Sequence, residues 1–317
     1  MAPNRNSFPH PPQGLLRGTL LYDEPMSKHT SFRVGGPADL YYTPADVDDL
    51  IRAIEWTDSK GMPVFFKGAG TNILVSDAGI RGVVFSLDEC LDSVRVRDGK
   101  VTVGAGKSLN KLAWQMAKKG LAGLTFGTGI PGSMGGALIM NAGAWQHNLD
   151  EVVVSAEVLT HYGEMVILPK SEMGLGYRSS ALPLGVIVSL KLELTPGDPQ
   201  KIENKMKEYD EQRRKTQPLE FPSAGCIFRN LKEQKLAAGK LIEEAGLKGR
   251  SIGDAQVSKK HANFIINRGK AKASEILALI VLVEETVYAH SGIELKREVK
   301  LAGQWGELLP SLKSQRV

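Results

Sequence analysis

The sequence predicts a two-part protein that combines helices and strands and ends in an α+β region. Three observations carry this. The length of 317 residues suits about two domains at roughly 100–200 residues each. Between residues 46 and 168, capped amphipathic helices are interspersed with short antiparallel hairpins, not with the regular strand–helix alternation of a doubly wound sheet. A break at Thr195-Pro-Gly-Asp-Pro199 then leads into a charged helix, and from Pro218 a separate α+β segment follows.

Each element has a local cause. Asp46 is placed to cap a helix whose apolar positions Val47, Leu50, Ile51 and Ile54 follow i, i+3, i+4, i+7 spacing, and Gly61 ends it. Pro63-Val-Phe-Phe66 reads as a short buried strand. Lys67-Gly-Ala-Gly-Thr-Asn72 follows, then a second strand near Gly82-Val-Val-Phe85. Val94 and Val96 alternate against Val101 and Val103 across Asp98-Gly99, a strong hairpin signal. Ser108 caps a helix carrying Leu109, Leu112, Ala113 and Met116, terminated by Gly120. Glu157–Thr160 and Glu164–Leu168 flank a turn at His161-Tyr-Gly163, and Gly185 to Leu194 adds a strand. Ile202, Met206 and Tyr209 mark the inward face of the charged helix, which runs into Arg213-Arg-Lys-Thr-Gln-Pro218. The last part holds a loop at 221–230, a helix around Leu241–Ala245 and a strand around Asn263–Ile266. A long helix from Ser274 (Ile276, Leu279, Ile280, Val283, Val287) leads to a final strand, Ile293–Leu301.

Composition excludes several classes of function. Hydrophobic residues make up 42% and charged residues 24%, which is ample material for a core and unlike a disordered chain. The net charge is only +5, and no Lys/Arg block is long enough for a nucleic-acid arm. The longest apolar run, Ile276 to Val283, is far shorter than the roughly 20 residues that span a bilayer. The polar, proline-rich start lacks the apolar core of a signal peptide. Cys90 and Cys226 cannot build a disulfide framework and suit a reducing, cytoplasmic setting. The six histidines show no metal-ligand spacing, so no metal is expected.

Glycine is the outlier, at 34 of 317 residues, with sixteen of them between Gly61 and Gly143. Such density implies positive φ angles or backbone running close to a ligand. Two segments stand out, Gly68–Asn72 and Gly127-Thr-Gly-Ile-Pro-Gly-Ser-Met-Gly-Gly136, followed by Asn141-Ala-Gly143. Loops of this kind line up backbone N–H groups for phosphate oxygens, and the pair suggests a diphosphate held from both sides. Gly127–Gly132 also matches the dinucleotide fingerprint G-x-G-x-x-G, with Asp150 18 residues on. The context argues against that fingerprint, because no apolar strand directly precedes Gly127 and the neighbours are hairpins. Three polar residues have plain alternatives that stay open on the residues alone. Arg178 could clamp an anion or lie on the surface, Glu298 shares a strand face with Glu294, Lys296 and Lys300, and Cys226 could be an inert buried thiol.

Taken in order, the motifs resemble the UDP-N-acetylenolpyruvoylglucosamine reductase (MurB) family over about residues 20–303. The carriers are Thr30-Ser-Phe-Arg-Val-Gly-Gly36, Gly68-Ala-Gly-Thr-Asn72, Gly129-Ile-Pro-Gly-Ser-Met-Gly-Gly136, Asn141-Ala-Gly143 and Tyr177-Arg-Ser-Ser180. Further on come Pro222-Ser-Ala-Gly-Cys-Ile-Phe-Arg-Asn230, Gly239-Lys-Leu-Ile-Glu243, Val257-Ser-Lys-Lys-His-Ala-Asn263 and Leu295-Lys-Arg-Glu298. The resemblance implies an α+β fold: a two-lobed FAD-binding domain of the vanillyl-alcohol-oxidase (PCMH) type, then an α+β substrate-binding domain. It places an N-terminal tail at 1–20, the lobes at 21–88 and 89–198, the substrate domain at 199–303 and a C-terminal tail at 304–317.

The family reaction has two halves: NADPH reduces a non-covalent FAD, which passes hydride to UDP-N-acetylglucosamine enolpyruvate, giving UDP-N-acetylmuramate for peptidoglycan. Carried over position by position, Gly68, Ala69, Gly70, Thr71 and Asn72 would hold FAD together with Gly127, Gly129, Ile130, Pro131 and Gly132. Ser133, Gly136, Asn141 and Gly143 complete that set. Arg178 and Glu298 would stabilise charge developing on the substrate carboxylate, and Cys226 would protonate carbon. Tyr177, Arg214, Asn230 and Asn263 would contact substrate. Two positions depart from the pattern: Cys226 stands where serine is usual, and Arg297 where proline usually precedes the glutamate. The spacing around Tyr177 resembles the shorter subtype, which lacks an inserted substrate-capping loop. A cytoplasmic monomer is expected. The alternatives are another FAD-dependent oxidase or dehydrogenase of the same fold, which would match the glycine loops but not Tyr177-Arg178, Cys226 and Glu298 together, and a non-catalytic nucleotide-binding module, which would bind UDP-sugars without turnover.

Overall fold

The structure, a computed structural model, describes residues 8–160, 163–183, 185–231 and 234–306. The turn residues His161 and Tyr162 and most of the C-terminal tail lie outside the described residues. The chain forms two compact units, each assembled from separated segments. One takes residues 1–21, 41–69 and 82–215, the other 22–40, 70–81 and 216–317.

In the first unit, α1 (Val47–Ser59) begins as the spacing predicts, with the Asp46 side chain accepting from the Asp49 N–H. It ends at Ser59, and Gly61, two residues on, takes a φ of +59°, a region glycine enters at no steric cost. Val64–Lys67 is a strand that runs parallel to Val83–Ser86. The strand is less buried than its apolar letters suggest: Val64 is exposed, Phe65 and Phe66 are half-buried, and only Lys67 is fully buried. The hairpin Val94–Arg97 and Lys100–Gly104 pairs Val94 with Val103 and Val96 with Val101. Asp98 and Gly99 both have positive φ, as a type I′ turn requires. This hairpin continues into a five-stranded antiparallel sheet through Gly185–Glu193, Val153–Thr160 and Met165–Pro169.

Helix α2 (Leu109–Lys118) carries its Ser108 cap and buries Leu109, Leu112, Ala113 and Met116. The short α3 (Met134–Ile139) is capped by Ser133. No strand directly precedes Gly127; a single 3-10 turn, Thr125–Gly127, does. The segment read as a linker is partly a strand, because Thr195–Pro196 pairs antiparallel with Leu121–Ala122. Helix α4 (Pro199–Thr216) turns Ile202, Met206 and Tyr209 inward, as their spacing requires.

The second unit is organised by its own apolar core. Helix α5 (Ala238–Glu244) supplies Ala238, Leu241 and Ile242, and α6 (Ala273–Ser291) supplies Ile276, Leu279, Ile280, Val283 and Val287. Full burial of such side chains contributes roughly 1.5–3 kcal/mol each. The first two N–H groups of α6 are satisfied from a distant part of the chain: Ala273 and Ser274 donate to the two carboxylate oxygens of Asp77 at 2.8 and 2.9 Å. The α+β expectation is borne out. The expected last strand is shorter than Ile293–Leu301. Only Lys300–Ala302 forms a ladder, parallel to Ile73–Val75, and residue 297 makes a single isolated bridge to Phe228. No helix among the described residues is long and apolar enough to cross a membrane.

Candidate active site

Within the first unit, Gly68 of the first glycine segment meets Ser133 of the second. A Cβ built on Gly68 would lie 2.1 Å from Ser133 Oγ, so a side chain at residue 68 would require the Ser133 hydroxyl to turn away. Around this contact, Gly129 (φ +69°) donates its N–H to Asn110 Oδ1 at 2.9 Å. Met134 and Gly135 donate to the carbonyls of Lys107 and Ala105 at 2.8 and 2.7 Å. Among the described residues, no protein acceptor takes the N–H of Gly132 or of Ser133, although Ser133 is buried. Unused backbone donors beside a glycine contact suit the oxygens of a diphosphate, so the residues present fit the phosphate portion of FAD. Gly136 is exposed, and a Cβ there would come no closer than 3.4 Å to Ser133 Oγ.

Asn141 and Gly143 brace a neighbouring turn. The buried Asn141 accepts from the Asp150 N–H (3.0 Å) and donates through Nδ2 to the Gly176 carbonyl (3.1 Å). The Gly143 carbonyl accepts from Arg178 Nη2 at 2.5 Å. These bonds fix the tight turn Gly176–Ser179, in which Arg178 takes a left-handed φ of +53° and its guanidinium carbon lies 5.2 Å from the Tyr177 ring centroid. Arg178 is therefore built into a turn, and the plain surface reading does not hold. Arg214 is different: it is exposed and paired to Asp210 along α4 at 2.8 Å, and that hydrogen bond raises the guanidinium pKa. Its neighbour Arg213 lies against the glycine loop, Nη1 donating to the Gly129 carbonyl at 3.4 Å.

In the second unit, Cys226 lies in the segment 226–229, which has Phe264 beside it on one side and residues 296–298 on the other. Glu298 donates its N–H to the Ile227 carbonyl at 2.7 Å, and Arg229 donates to the Lys296 carbonyl at 2.8 Å. The backbone thus sets Cys226 and Glu298 on neighbouring extended segments. Within the same unit, Asn72 donates through Nδ2 to the Glu298 carbonyl (3.2 Å) while its own carbonyl accepts from Lys300 (3.0 Å). Gly70 (φ +64°) packs so tightly that a Cβ would lie 2.1 Å from the His29 carbonyl oxygen. The Asn263 side chain is 2% exposed and fully committed, accepting from the Phe228 N–H (2.9 Å) and donating to its carbonyl (2.8 Å). Asn230 is exposed and accepts from the Ala238 N–H at the start of α5. Burial lowers the pKa of His261, which favours its neutral form. In the first unit, burial pushes the Cys90 thiol up to about 12, so it stays protonated and unreactive near neutral pH.

Comparison with known proteins places this geometry. Residues 217–302 match the family description "UDP-N-acetylenolpyruvoylglucosamine reductase, C-terminal domain", and residues 38–168 match "FAD binding domain". The UDP-N-acetylenolpyruvoylglucosamine reductase of Heliobacterium modesticaldum is 46% identical over 293 residues, covering 92% of this chain and 93% of that one. The chain belongs to the UDP-N-acetylenolpyruvoylglucosamine reductase family. The reductase of Anoxybacillus flavithermus is 43% identical over 290 residues, 90% of this chain and 95% of that one. The crystal structure of the enzyme from Thermus caldophilus superposes with a TM-score of 0.77 at 34% identity, covering 90% of this chain and 99% of that chain.

Several features of this reductase-family member are not foreseeable from its motifs. Lys67, immediately before the first glycine segment, is 5% exposed and donates to Ser86 Oγ (2.9 Å) and Asp88 (3.3 Å), with the Tyr41 hydroxyl also on Ser86 (2.8 Å). Trp145 stacks on Tyr209 of α4 with centroids 4.5 Å apart and planes 6° from parallel. Arg297 forms a bidentate pair with Glu284 of α6. A lysine after a strand, or an arginine at the parity of Leu295 and Val299, carries no local signal of what it will meet; only the fold supplies Ser86 and Glu284.

Proposed function

We propose that this protein reduces UDP-N-acetylglucosamine enolpyruvate to UDP-N-acetylmuramate, with NADPH as the electron source, in peptidoglycan precursor synthesis. The observation that supports this most is the Glu298 N–H to Ile227 carbonyl bond, which sets Cys226 beside Glu298 in a chain whose relatives bear that activity's name over nine-tenths of its length. FAD, when bound, supplies the two-electron route between NADPH and the enolpyruvyl double bond. The segments Gly68–Asn72 and Gly127–Gly136 would hold its diphosphate through backbone N–H groups.

The chain's own side chains manage charge and protons. Addition of hydride to the enol ether pushes negative charge onto the adjacent carboxylate. A rigid guanidinium at Arg178 and the carboxyl group of Glu298 stabilise that charge as it develops. The Cys226 Sγ–H gives its proton to carbon, leaving a thiolate that solvent reprotonates. A thiol has a reference pKa of about 8.5, far below that of an alcohol, so cysteine is chemically competent where serine is usual. Tyr177, Arg214 and Asn230 contact substrate, whereas Asn263 acts from behind by fixing the Phe228 peptide. The protein works as a cytoplasmic monomer.

The test separates the two halves of the reaction. Cys226→Ala should leave bleaching of the flavin by NADPH intact and cripple product formation, and Cys226→Ser should keep much of the activity. Full turnover in the alanine variant would return Cys226 to an inert structural thiol.

A further inference from the structure

Residues 293–299 have no ladder to hold them, yet they carry Glu298. What fixes this stretch is local. Leu295 and Val299 are buried at 5% and 3% exposure, the Glu298 N–H donates to Ile227, and its carbonyl accepts from Asn72. On the other side of residue 297 the Lys296 carbonyl accepts from the Arg229 N–H at 2.8 Å, and between these two backbone bonds the side-chain restraint is Arg297, at the same inward parity as Leu295 and Val299. Its side chain is only 6% exposed, and its Nε and Nη2 each lie 2.5 Å from a carboxylate oxygen of Glu284. The third nitrogen, Nη1, is buried without a hydrogen-bond partner. Burial of this guanidinium is thus incompletely compensated, and a buried ion pair is in general weak evidence for stability. A two-point fork does, however, fix the direction of the residue that bears it. The backbone of Arg297 contributes nothing comparable, since its N–H enters no hydrogen bond among the described residues.

We infer that Arg297 is a positioning residue: its fork on Glu284 of α6 holds the Glu298 peptide in register with Ile227, and so orients Glu298 relative to Cys226. The inference rests on the proposed function only for the role of Glu298. It makes an unusual prediction, because a proline at 297 would restrain φ covalently and sacrifice no backbone bond. Losing the fork and regaining the orientation can therefore be separated.

The experiment compares Arg297→Gln, Glu284→Gln and the double variant Arg297→Pro/Glu284→Gln, all as FAD-loaded protein. Misplacement of a reacting group by about 1 Å costs on the order of 100-fold in rate. Recovery of flavin colour by the enolpyruvyl substrate should slow by about that factor in the two glutamine variants, with bleaching by NADPH essentially unchanged. The proline double variant should regain most of the loss, although it lacks the ion pair as fully as they do. Amide hydrogen exchange in the flavin-free protein gives a second readout: the Glu298 N–H should lose protection in Arg297→Gln and keep it in the proline variant. Should Arg297→Gln fail to fold, Arg297→Lys, which keeps the charge without the fork, takes its place. Equal colour-recovery rates in the glutamine and proline variants, or unchanged Glu298 exchange, would overturn the inference. Failure of the unaltered protein to bleach with NADPH would instead count against the proposed reaction, and the exchange comparison would still decide on the fork.

Discussion

Replacing Gly68 by alanine tests the contact between the two glycine segments. Gly68 is not in the left-handed region, so alanine meets no backbone strain there, and the effect is purely one of space. The new Cβ would lie 2.1 Å from Ser133 Oγ and 3.2 Å from Ser133 Cβ. The hydroxyl must rotate away, and it is the group that accepts from the Gly136 N–H to cap α3. Loss of such a cap costs about 0.5–2 kcal/mol, and residual crowding in a packed site about 1–3 kcal/mol. The sum is about 1.5–5 kcal/mol, read as a shift in a urea denaturation midpoint. A displaced Ser133 also disturbs its N–H, so FAD affinity should fall, each 1.4 kcal/mol being tenfold. Ser133→Gly in the same background removes both clashing atoms, and glycine is only a few tenths of a kcal/mol worse as a cap. Gly68→Ala/Ser133→Gly should therefore be more stable than Gly68→Ala alone. An alanine variant with unaltered midpoint and FAD affinity, or no relief from the second substitution, would refute the reasoning.

Two further predictions concern buried polar groups. Asn263→Ala leaves the Phe228 N–H and carbonyl without partners, at about 1–3 kcal/mol each, so urea denaturation should show a loss of about 2–6 kcal/mol. Asn263→Asp, which can still accept from the Phe228 N–H, should lose less, and a stable alanine variant would contradict the role assigned to that amide. Asp49 is buried, which pushes its pKa up, but donation from the Ala45, Arg17 and Gly18 N–H groups and the Tyr42 hydroxyl outweighs this and leaves it below the ordinary value. A depressed carboxyl pKa stabilises the fold above the unfolded value of about 3.9, and that contribution is lost as pH falls through the folded value. Stability measured by denaturation from pH 6 downward should thus drop below about pH 4, and Asp49→Asn should flatten the drop while lowering stability at pH 6. An unchanged acid limb in the asparagine variant would show that Asp49 is not the group responsible.

What was legible in the sequence was what is caused locally. The caps at Asp46 and Ser108, the Asp98-Gly99 turn and the inward stripes of α4 and α6 each arise from residues a few positions apart, and each is found as expected. The two glycine segments were legible as unusual backbone, because glycine at that density implies positive φ angles or close approach. What was not legible depends on partners far along the chain. Asp77 caps α6 across 196 residues. Thr195–Pro196, composed like a linker, becomes a strand because Leu121–Ala122 lies beside it. Ile293–Leu301 alternates like a strand but finds ladder partners only at its end; before it the stretch has a single bridge with its two backbone bonds and the Arg297–Glu284 pair, whose partners lie far along the chain or on another element. Asn263 matched a motif position, but nothing in the motif says that its amide is committed to Phe228.

The central claim, that this chain passes electrons from NADPH to an enolpyruvyl ether, is tested most directly by one anaerobic titration. The purified protein should be yellow, should bleach on addition of NADPH, and should regain its colour without oxygen when UDP-N-acetylglucosamine enolpyruvate is added, in proportion to the UDP-N-acetylmuramate formed. A colourless protein with no affinity for FAD, or a bleached protein whose colour returns only when oxygen is admitted, would contradict it.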